Sequence, residues 1–571
     1  MPHAPRLADL LAQARAGRLS RRHLLETGLR LGLASPVIVG LLEAVPASAT
    51  SPAVGARPAR LQESGGVLTV LISDGTEDID PHYSYTTLSS TIALAVYEML
   101  LQLNGESTDE YSPMLADSWE VSEDQSTYTF KLAPNVTFHD GTPCDAQAVK
   151  DSYTRWINLE GSPVNVITRF VASPDLIEVV DPATIRFNLG RPQPLFLPAM
   201  ASQYGPSVIS PTAIVANGTA DDPYAHEWAA ANAVGSGPYE LVSNSLTEGL
   251  VLRRFEAFHR GWEGDHFDEI VFRVVPENST RRQLLEQGDA DAAAYNLTVD
   301  DLQALKENPD LQVVEYTSTA VSWTIMNAPR LLTPEVRRGF SVAFPYDQVV
   351  NDVFKGLLKR SGPIAESVRG YDPNVFLYQT DLAAAKELIL AGGMTEGDTF
   401  EYLVDGGDER EMTVAQLFQA NVQEMGFDLE LIAVDYATIE STIFGDAPVA
   451  ERPHFIGGWG WWPDYNDPWN QLWPNFTAAN IGDGGGNAGG FTNARFEEIM
   501  AEAETYTDEA RLAELMAEAQ NILTELDPPC IFSGQQVRYT VLRADIQGFV
   551  PNPLYLDAFP FHAMSRAAAP A

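Results

Sequence analysis

Between Gly457 and Trp469 the chain reads GGWGWWPDYNDPW, which sets four of its ten tryptophans beside two carboxylates, Asp464 and Asp467. Large apolar side chains are ordinarily buried for packing alone, so one reading of the stretch is a core plug. A second is a ligand site, with ring faces walling a cleft and a carboxylate meeting a cation. A third is an acid pair that hydrolyses glycosides; three residues apart in a loop fixes no separation, and the separation would be the test. Elsewhere the signatures of catalysis are missing: there is no G-x-S-x-G, no H-E-x-x-H and no Walker loop. The G-x-G-x-x-G at Gly484–Gly489 lies in the run GDGGGNAGG, without a strand before it or a helix opening on it, and reads as a loop. None of the nine histidines pairs with another at i, i+4, so no metal site and no cofactor is expected. His139-Asp140-Gly141 reads as a turn whose aspartate bonds its own backbone. A chain without these features is expected not to be an enzyme.

A loop of this kind has to be held by regular elements. Gly66–Ile72 has the β-branched run of a buried strand, and Tyr128, Phe130 and Leu132 alternate as a half-buried strand does. Ile92, Val96, Met99 and Leu103 share one face of a helix expected over Ile92–Leu103. Ile177–Val180 and Ile185–Leu189 flank Asp181-Pro182-Ala183-Thr184 as a hairpin. Further helices are expected at Pro334–Phe344, at Asp381–Ala391 before Gly392-Gly393, and at Asp508–Thr524 with Thr507 as cap. Asp467-Pro468 has the form of a helix cap followed by proline in the first turn. Helices alternating with short strands make the fold α/β. At 571 residues the chain exceeds the roughly 250–300 that one hydrophobic core accommodates, so two or three lobes are expected.

Charge excludes some partners. With 36 Lys+Arg against 78 Asp+Glu the net charge is −42, which repels nucleic-acid phosphate and anionic lipid. Ser20-Arg21-Arg22-His23-Leu24-Leu25, the mostly apolar stretch to Leu42, and Ala47-Ser48-Ala49 have the order of an export signal. The Arg21-Arg22 pair gives it twin-arginine form, and Ala47 and Ala49 form the A-x-A cleavage site. Residues 1–49 are thus the expected signal and 50–65 a Ser/Pro/Ala-rich linker. The mature chain is expected to be soluble and extracytoplasmic or periplasmic, with no cysteine placed for a lipid anchor. Cys144 and Cys530 could pair only if the fold brings them together, which their spacing does not indicate.

Several segments, read in order, resemble the extracytoplasmic solute-binding proteins of the oligopeptide, dipeptide and nickel class, which serve ABC importers. They are Asp80-Pro81-His82, Pro113–Ser122, Tyr128-Thr129-Phe130, Val136–Pro143, Gly235-Ser236-Gly237-Pro238-Tyr239, Gln287–Asp291, Pro334–Phe340 and the Trp-rich loop. The resemblance implies a two-lobed periplasmic-binding-protein fold with an extra subdomain, the lobes joined by hinge strands near 320–326 and 528–532. Lobe I would comprise 66–108, 237–320 and 530–571, the extra subdomain 109–236 and lobe II 321–529. It implies a receptor that takes a peptide or similar small solute between its lobes and delivers it to an ABC permease, acting as a monomer. In peptide-binding relatives an aspartate in a Trp-x-x-Asp-Tyr-Asn-like motif pairs with the ligand's α-amino group, and Trp461-Trp462-Pro463-Asp464-Tyr465-Asn466 puts Asp464 there. Trp459, Trp461, Trp462 and Tyr465 would line the same cleft. Tyr83 and Tyr85 follow the first strand, where open α/β sheets place ligands, and either face the cleft or lie on the surface. A sugar or metal-chelate receptor of the same fold, and an exported acid-pair glycoside hydrolase, remain the alternative readings.

Overall fold

A computed structural model of the protein describes residues 66–294, 297–482, 485–506 and 508–567. The expected signal with Arg21, Arg22, Ala47 and Ala49, the linker at 50–65, and Thr507 lie outside the described residues.

In chain order the principal strands begin with β1 (Val67–Ile72), then β2 (Ala116–Val121), β3 (Thr127–Leu132), β4 (Ile177–Asp181) and β5 (Thr184–Asn188). There follow β6 (Tyr239–Ser245), β7 (Gly249–Arg254), β8 (Glu269–Val274), β9 (Ala292–Ala294) and β10 (Leu311–Met326). Last come β11 (Thr399–Asp405), β12 (Asp428–Val434), β13 (Phe455–Trp461) and β14 (Cys530–Arg543). Three helices bear on the site: α1 (Thr87–Val96), α2 (Ala146–Leu159) and α3 (Pro468–Phe476).

One 11-stranded sheet runs β12-β11-β13-β10-β14-β9-β1-β8-β7-β6, with the short strand Leu358–Lys359 pairing β14 off this path. Its centre is the antiparallel pair β10 and β14, 16 and 14 residues long, against a usual strand of about 5–6. These two strands belong to both halves of the molecule: β14 pairs β9 at Ala292–Ala294, and β10 pairs β13 at Phe455–Trp461. Their ladder breaks register between Thr317 and Val321 and again between Ser322 and Trp323, where a bulge bends the strand. A separate sheet, β2-β3-β5-β4, carries α2 against β4 and β5.

Tyr128, Phe130 and Leu132 all face inward on β3, and β4 and β5 form the expected antiparallel hairpin. The helices at Pro334–Ala343 and Leu382–Ala391 are present, capped by Thr333 and Asp381. Two expectations need correction. The last of the four helices, Glu509–Asn521, is capped by Asp508. The helix expected at Ile92–Leu103 instead spans Thr87–Val96 behind Thr86 as cap, and Leu101–Leu103 is a strand. Its apolar period continues past Val96, but Gly237 N donates to the Val96 carbonyl at 3.0 Å, and a Cβ on Gly235 would stand 2.1 Å from that same oxygen. The Gly-Ser-Gly-Pro crossing therefore occupies the space another helical turn would need. Cys144 and Cys530 are both buried and free.

Candidate functional site

The glycines of the Trp-rich loop are explained by its neighbours. A Cβ on Gly457 would meet the Tyr402 ring at 2.3 to 2.6 Å, and one on Gly460 would stand 2.8 Å from the Val321 carbonyl. Gly458 has a φ of 68°, a left-handed conformation that favours glycine. Among the described residues β11 pairs with β13 only at Phe455 and Ile456, so from Gly457 to Trp461 the strand is paired on its β10 side alone.

After β13 the loop turns into α3, and Asp467 caps that helix, accepting from Trp469 N at 2.8 Å and Asn470 N at 3.3 Å. The first turn of α3 then folds back on the loop. Asn470 Oδ1 accepts from the Asp464 backbone N at 2.5 Å, Asn470 Nδ2 donates to Asp464 Oδ2 at 3.1 Å, and Trp461 Nε1 donates to the Asn470 carbonyl at 3.2 Å. From the other half of the molecule the Tyr85 hydroxyl donates to Asp464 Oδ1. Burial raises the Asp464 pKa above the ordinary carboxylate value, while the bonds from Tyr85 and Asn470 oppose the rise. Burial and the Asp464 charge push the Tyr85 hydroxyl well up, so it stays a proton donor. Its ring packs on Tyr204 with centroids 4.5 Å apart. Asp464 is thus a half-buried carboxylate whose two side-chain partners are neutral.

Asp467 differs. It is fully buried, burial pushes it up to about 6, and Arg169 and Arg369 act against that rise. The two carboxylates therefore sit in unlike surroundings, one presented to Tyr85 and the other committed to a helix end.

The remaining residues expected at the site divide. Trp461 and Trp462 are half-buried and stacked, with centroids 6.5 Å apart and planes 25° from parallel. Tyr465 is buried, and its hydroxyl accepts from Arg169 Nη1 at 2.8 Å. Trp459 belongs to the core: it is opposite Trp323 on β10 and its ring packs edge-on against Phe444 at 5.5 Å. Tyr83 is 41% exposed and packs on the His226 ring, with centroids 3.8 Å apart and planes tilted by 32°. Two arginines are engaged with aromatic side chains: Arg360 lies 3.5 Å from the Tyr346 ring centroid, and Arg369 Nη1 donates to the Tyr506 hydroxyl at 3.0 Å. Sequence reasoning missed Asn470, Tyr204 and Arg169. Asn470 alone had a local signal, since an amide three residues past an Asp-Pro cap lies in the first turn, next to the loop it follows.

A cavity of about 440 Å³ opens at the carboxyl end of β1, lined by the 70–78 segment, Ser84, Thr86, Arg281 and Asp557. Ser84 and Thr86 face this cavity, while Tyr85 between them reaches Asp464. The loop after β1 therefore both lines this cavity and supplies a donor to Asp464.

Comparison with known proteins agrees with this architecture. The chain is 29% identical over 500 residues to the probable D,D-dipeptide-binding periplasmic protein DdpA of Escherichia coli, covering 86% of this chain and 92% of the relative. It is 27% identical to the glutathione-binding protein GsiB of Pectobacterium atrosepticum, covering 84% and 91%, and 26% identical to heme-binding protein A of Haemophilus influenzae, covering 81% and 86%. Among solved structures, the periplasmic binding protein DppA of Helicobacter pylori in complex with the peptide STSA superposes with a TM-score of 0.75 at 22% identity, covering 88% of this chain and 98% of that one. That likeness gives the fold as two-lobed α/β. The family profile matches residues 110–483, from the four-stranded sheet through the Trp-rich loop. The chain belongs to the bacterial extracellular solute-binding proteins, family 5.

Proposed function

We propose that this solute-binding protein captures a peptide or similar small solute bearing an amine between its two lobes and delivers it to an ABC permease, without chemical change to the ligand. The observation that carries the reading is Asp464, half-buried, raised in pKa by burial and held by the neutral donors Tyr85 and Asn470. An ammonium brought there supplies a charge partner that the carboxylate lacks among the described residues. The stacked Trp461 and Trp462 and the Tyr85–Tyr204 pair offer ring faces beside it. The unpaired side of β13 supports a peptide in particular, because an extended backbone can add to such an edge. The names of the dipeptide- and glutathione-binding relatives point the same way.

Lobe I is 66–108, 237–320 and 530–571 with 109–236 as its extra subdomain, and lobe II is 321–529; the register break between Thr317 and Val321 supports the boundary at 320/321. The protein is a monomer exported through the Arg21-Arg22 signal, cleaved after Ala49 and left without a lipid anchor. The mass of the mature N-terminus checks the signal.

Native mass spectrometry of the protein as purified, followed by tryptophan-fluorescence titration with D-alanyl-D-alanine, glutathione and methionyl-leucine, tests the ligand class. Binding of at least one of these, abolished by Asp464→Ala, is expected. A retained mass matching a sugar, or equal affinity in Asp464→Ala, overturns the amine reading.

A further inference from the structure

Arg169 follows the short helical turn Asn165–Thr168, in the segment that also carries the four-stranded sheet. Among the described residues no carboxylate forms an ion pair with it; besides the ring of its neighbour Phe170, 5.5 Å away, it touches three groups beyond its own segment. Nη1 donates to the Tyr465 hydroxyl at 2.8 Å and Nη2 to the Glu504 carbonyl at 3.2 Å. The guanidinium carbon lies 3.5 Å from the centroid of the Trp469 ring, whose other neighbour is Trp473, stacked at 4.7 Å. Glu504 is the C-terminal cap of the helix Ala494–Ala503, an end that favours a cation. One planar fork therefore touches the loop, α3 and the end of the helix Ala494–Ala503, a task suited to arginine and not to lysine. Tyr465 and Trp469 each lie next to one of the two acids in the chain: Tyr465 follows Asp464, and Trp469 is in the turn that Asp467 caps. The loop is also held from the last residue before the inserted subdomain, where Asn466 Nδ2 donates to the Thr108 carbonyl at 3.1 Å and the Thr108 hydroxyl at 2.9 Å.

We propose that Arg169 is a positioning residue for the ammonium site: it clamps Tyr465 and Trp469 against the inserted subdomain and so sets how long a solute held at Asp464 stays bound. The inserted subdomain thereby acquires a part in ligand retention although the Asp464 carboxylate itself is held by Tyr85 and Asn470. The lifetime half of this inference rests on the proposed function; the clamp itself does not.

Hydrogen–deuterium exchange on the full mature chain, with no ligand added, tests the clamp. Arg169→Met keeps the stem and removes the fork, and amides in 461–476 are expected to exchange about tenfold faster, the scale of one desolvated cation–π contact with its hydrogen bond. Arg169→Lys should recover part of the protection, and Tyr465→Phe, which deletes only the acceptor, should lose part of it. The two losses should be non-additive in the double variant. Unchanged protection in Arg169→Met, or strict additivity with Tyr465→Phe, overturns the clamp. Stopped-flow with methionyl-leucine then reads the lifetime: dissociation should quicken by about tenfold in Arg169→Met with association nearly constant. If the parent binds none of D-alanyl-D-alanine, glutathione and methionyl-leucine while 461–476 loses protection, the peptide reading fails and the clamp stands. If binding is retained, protection is lost and dissociation is unchanged, the role in lifetime is overturned. Should Arg169→Met fail to fold, Arg169→Lys and Tyr465→Phe carry the same comparison.

Discussion

Asp80 and Asp464 are two shielded carboxylates joined by one short loop, and they are handled in opposite ways. Asp80 receives Arg155 through both oxygens, at 2.9 and 2.5 Å, with His226 Nδ1 3.2 Å from Oδ2. Burial alone would raise it, but Arg155 and His226 hold it well below the usual carboxylate range. Arg155 also donates to His82 Nδ1 at 3.0 Å, and burial with the nearby Arg155 charge pushes His82 down to about 3. The imidazole is therefore neutral, and its Nε2 donates to the Ser207 carbonyl at 2.8 Å. Asp464, reached by Tyr85 five residues beyond Asp80, has neutral partners and a raised pKa. A buried charge matched by a built-in cation holds the fold; one matched by neutral donors is available to a cation from outside. The Asp80 cluster fixes the loop after β1, and that loop delivers Tyr85 to Asp464.

The largest effect separates the two acids by stability. Asp80→Asn leaves Arg155 buried without its anion and is expected to cost about 3–5 kcal/mol in denaturant unfolding. Asp464→Asn, which deletes a charge that has no cationic partner among the described residues, should leave unfolding within about 1 kcal/mol of the parent. Similar losses in the two variants would break the distinction.

Ligand binding should reverse that ranking. Asp464→Ala is expected to weaken binding of an amine-bearing probe such as methionyl-leucine by about a hundredfold or more, the scale of a charge-assisted bond in a dry site. Binding by the parent should fall as the solution is acidified, because the carboxylate must be ionised to hold an ammonium and its protonation begins at a higher pH than for an ordinary aspartate. Calorimetric titration across pH gives both results.

Asp467 provides the intermediate case. Its pKa of about 6 in the folded state exceeds the ordinary 3.8, so the folded chain binds the proton more tightly than the unfolded one. The sign follows: this group's contribution is most favourable below about pH 4 and is lost as pH rises through 6. Asparagine also caps helices, so Asp467→Asn should keep α3 while removing the buried charge. Its unfolding free energy relative to the parent should improve by about 1–3 kcal/mol at pH 7.5, with the gain vanishing below pH 4. A gain independent of pH would mean that something other than this charge is responsible.

Much of this division was legible in the chain. The Asp-Pro step marked Asp467 as a cap, because proline fits the first helical turn and aspartate the position before it. What escaped depended on distant contacts. Tyr83 and Tyr85 differ by two positions in one polar stretch, yet one packs on His226 and the other reaches Asp464, a choice made by Arg155 and Asp80 in anchoring the loop. Trp459 looks like its neighbours in sequence, but the pairing of β13 with β10 turns it toward Phe444 and the core. The helix read through to Leu103 ends early because Gly235 and Gly237, well over a hundred residues on, close against Val96. Local pattern records which faces are apolar; it does not record which remote backbone will occupy the next turn.

The smallest expected effect is the sharpest test of how Asp464 is prepared. Tyr85→Phe keeps the ring on Tyr204 and deletes only the hydroxyl that donates to Oδ1. Two consequences oppose each other. Loss of that donor removes one bond that favours the ionised carboxylate, so the Asp464 pKa should climb further and the acid limb of binding should move to higher pH. The freed Oδ1 also becomes open to the incoming ammonium, with no hydroxyl to displace. At pH 8, where the carboxylate is ionised in both proteins, affinity for methionyl-leucine should therefore change by only a few-fold, roughly 1 kcal/mol or less. Near pH 5 the variant should bind distinctly more weakly than the parent. If the two profiles instead stay parallel from pH 5 to 8, Tyr85 shapes the cleft without tuning the charge, and the neutral donor that prepares Asp464 is Asn470 alone.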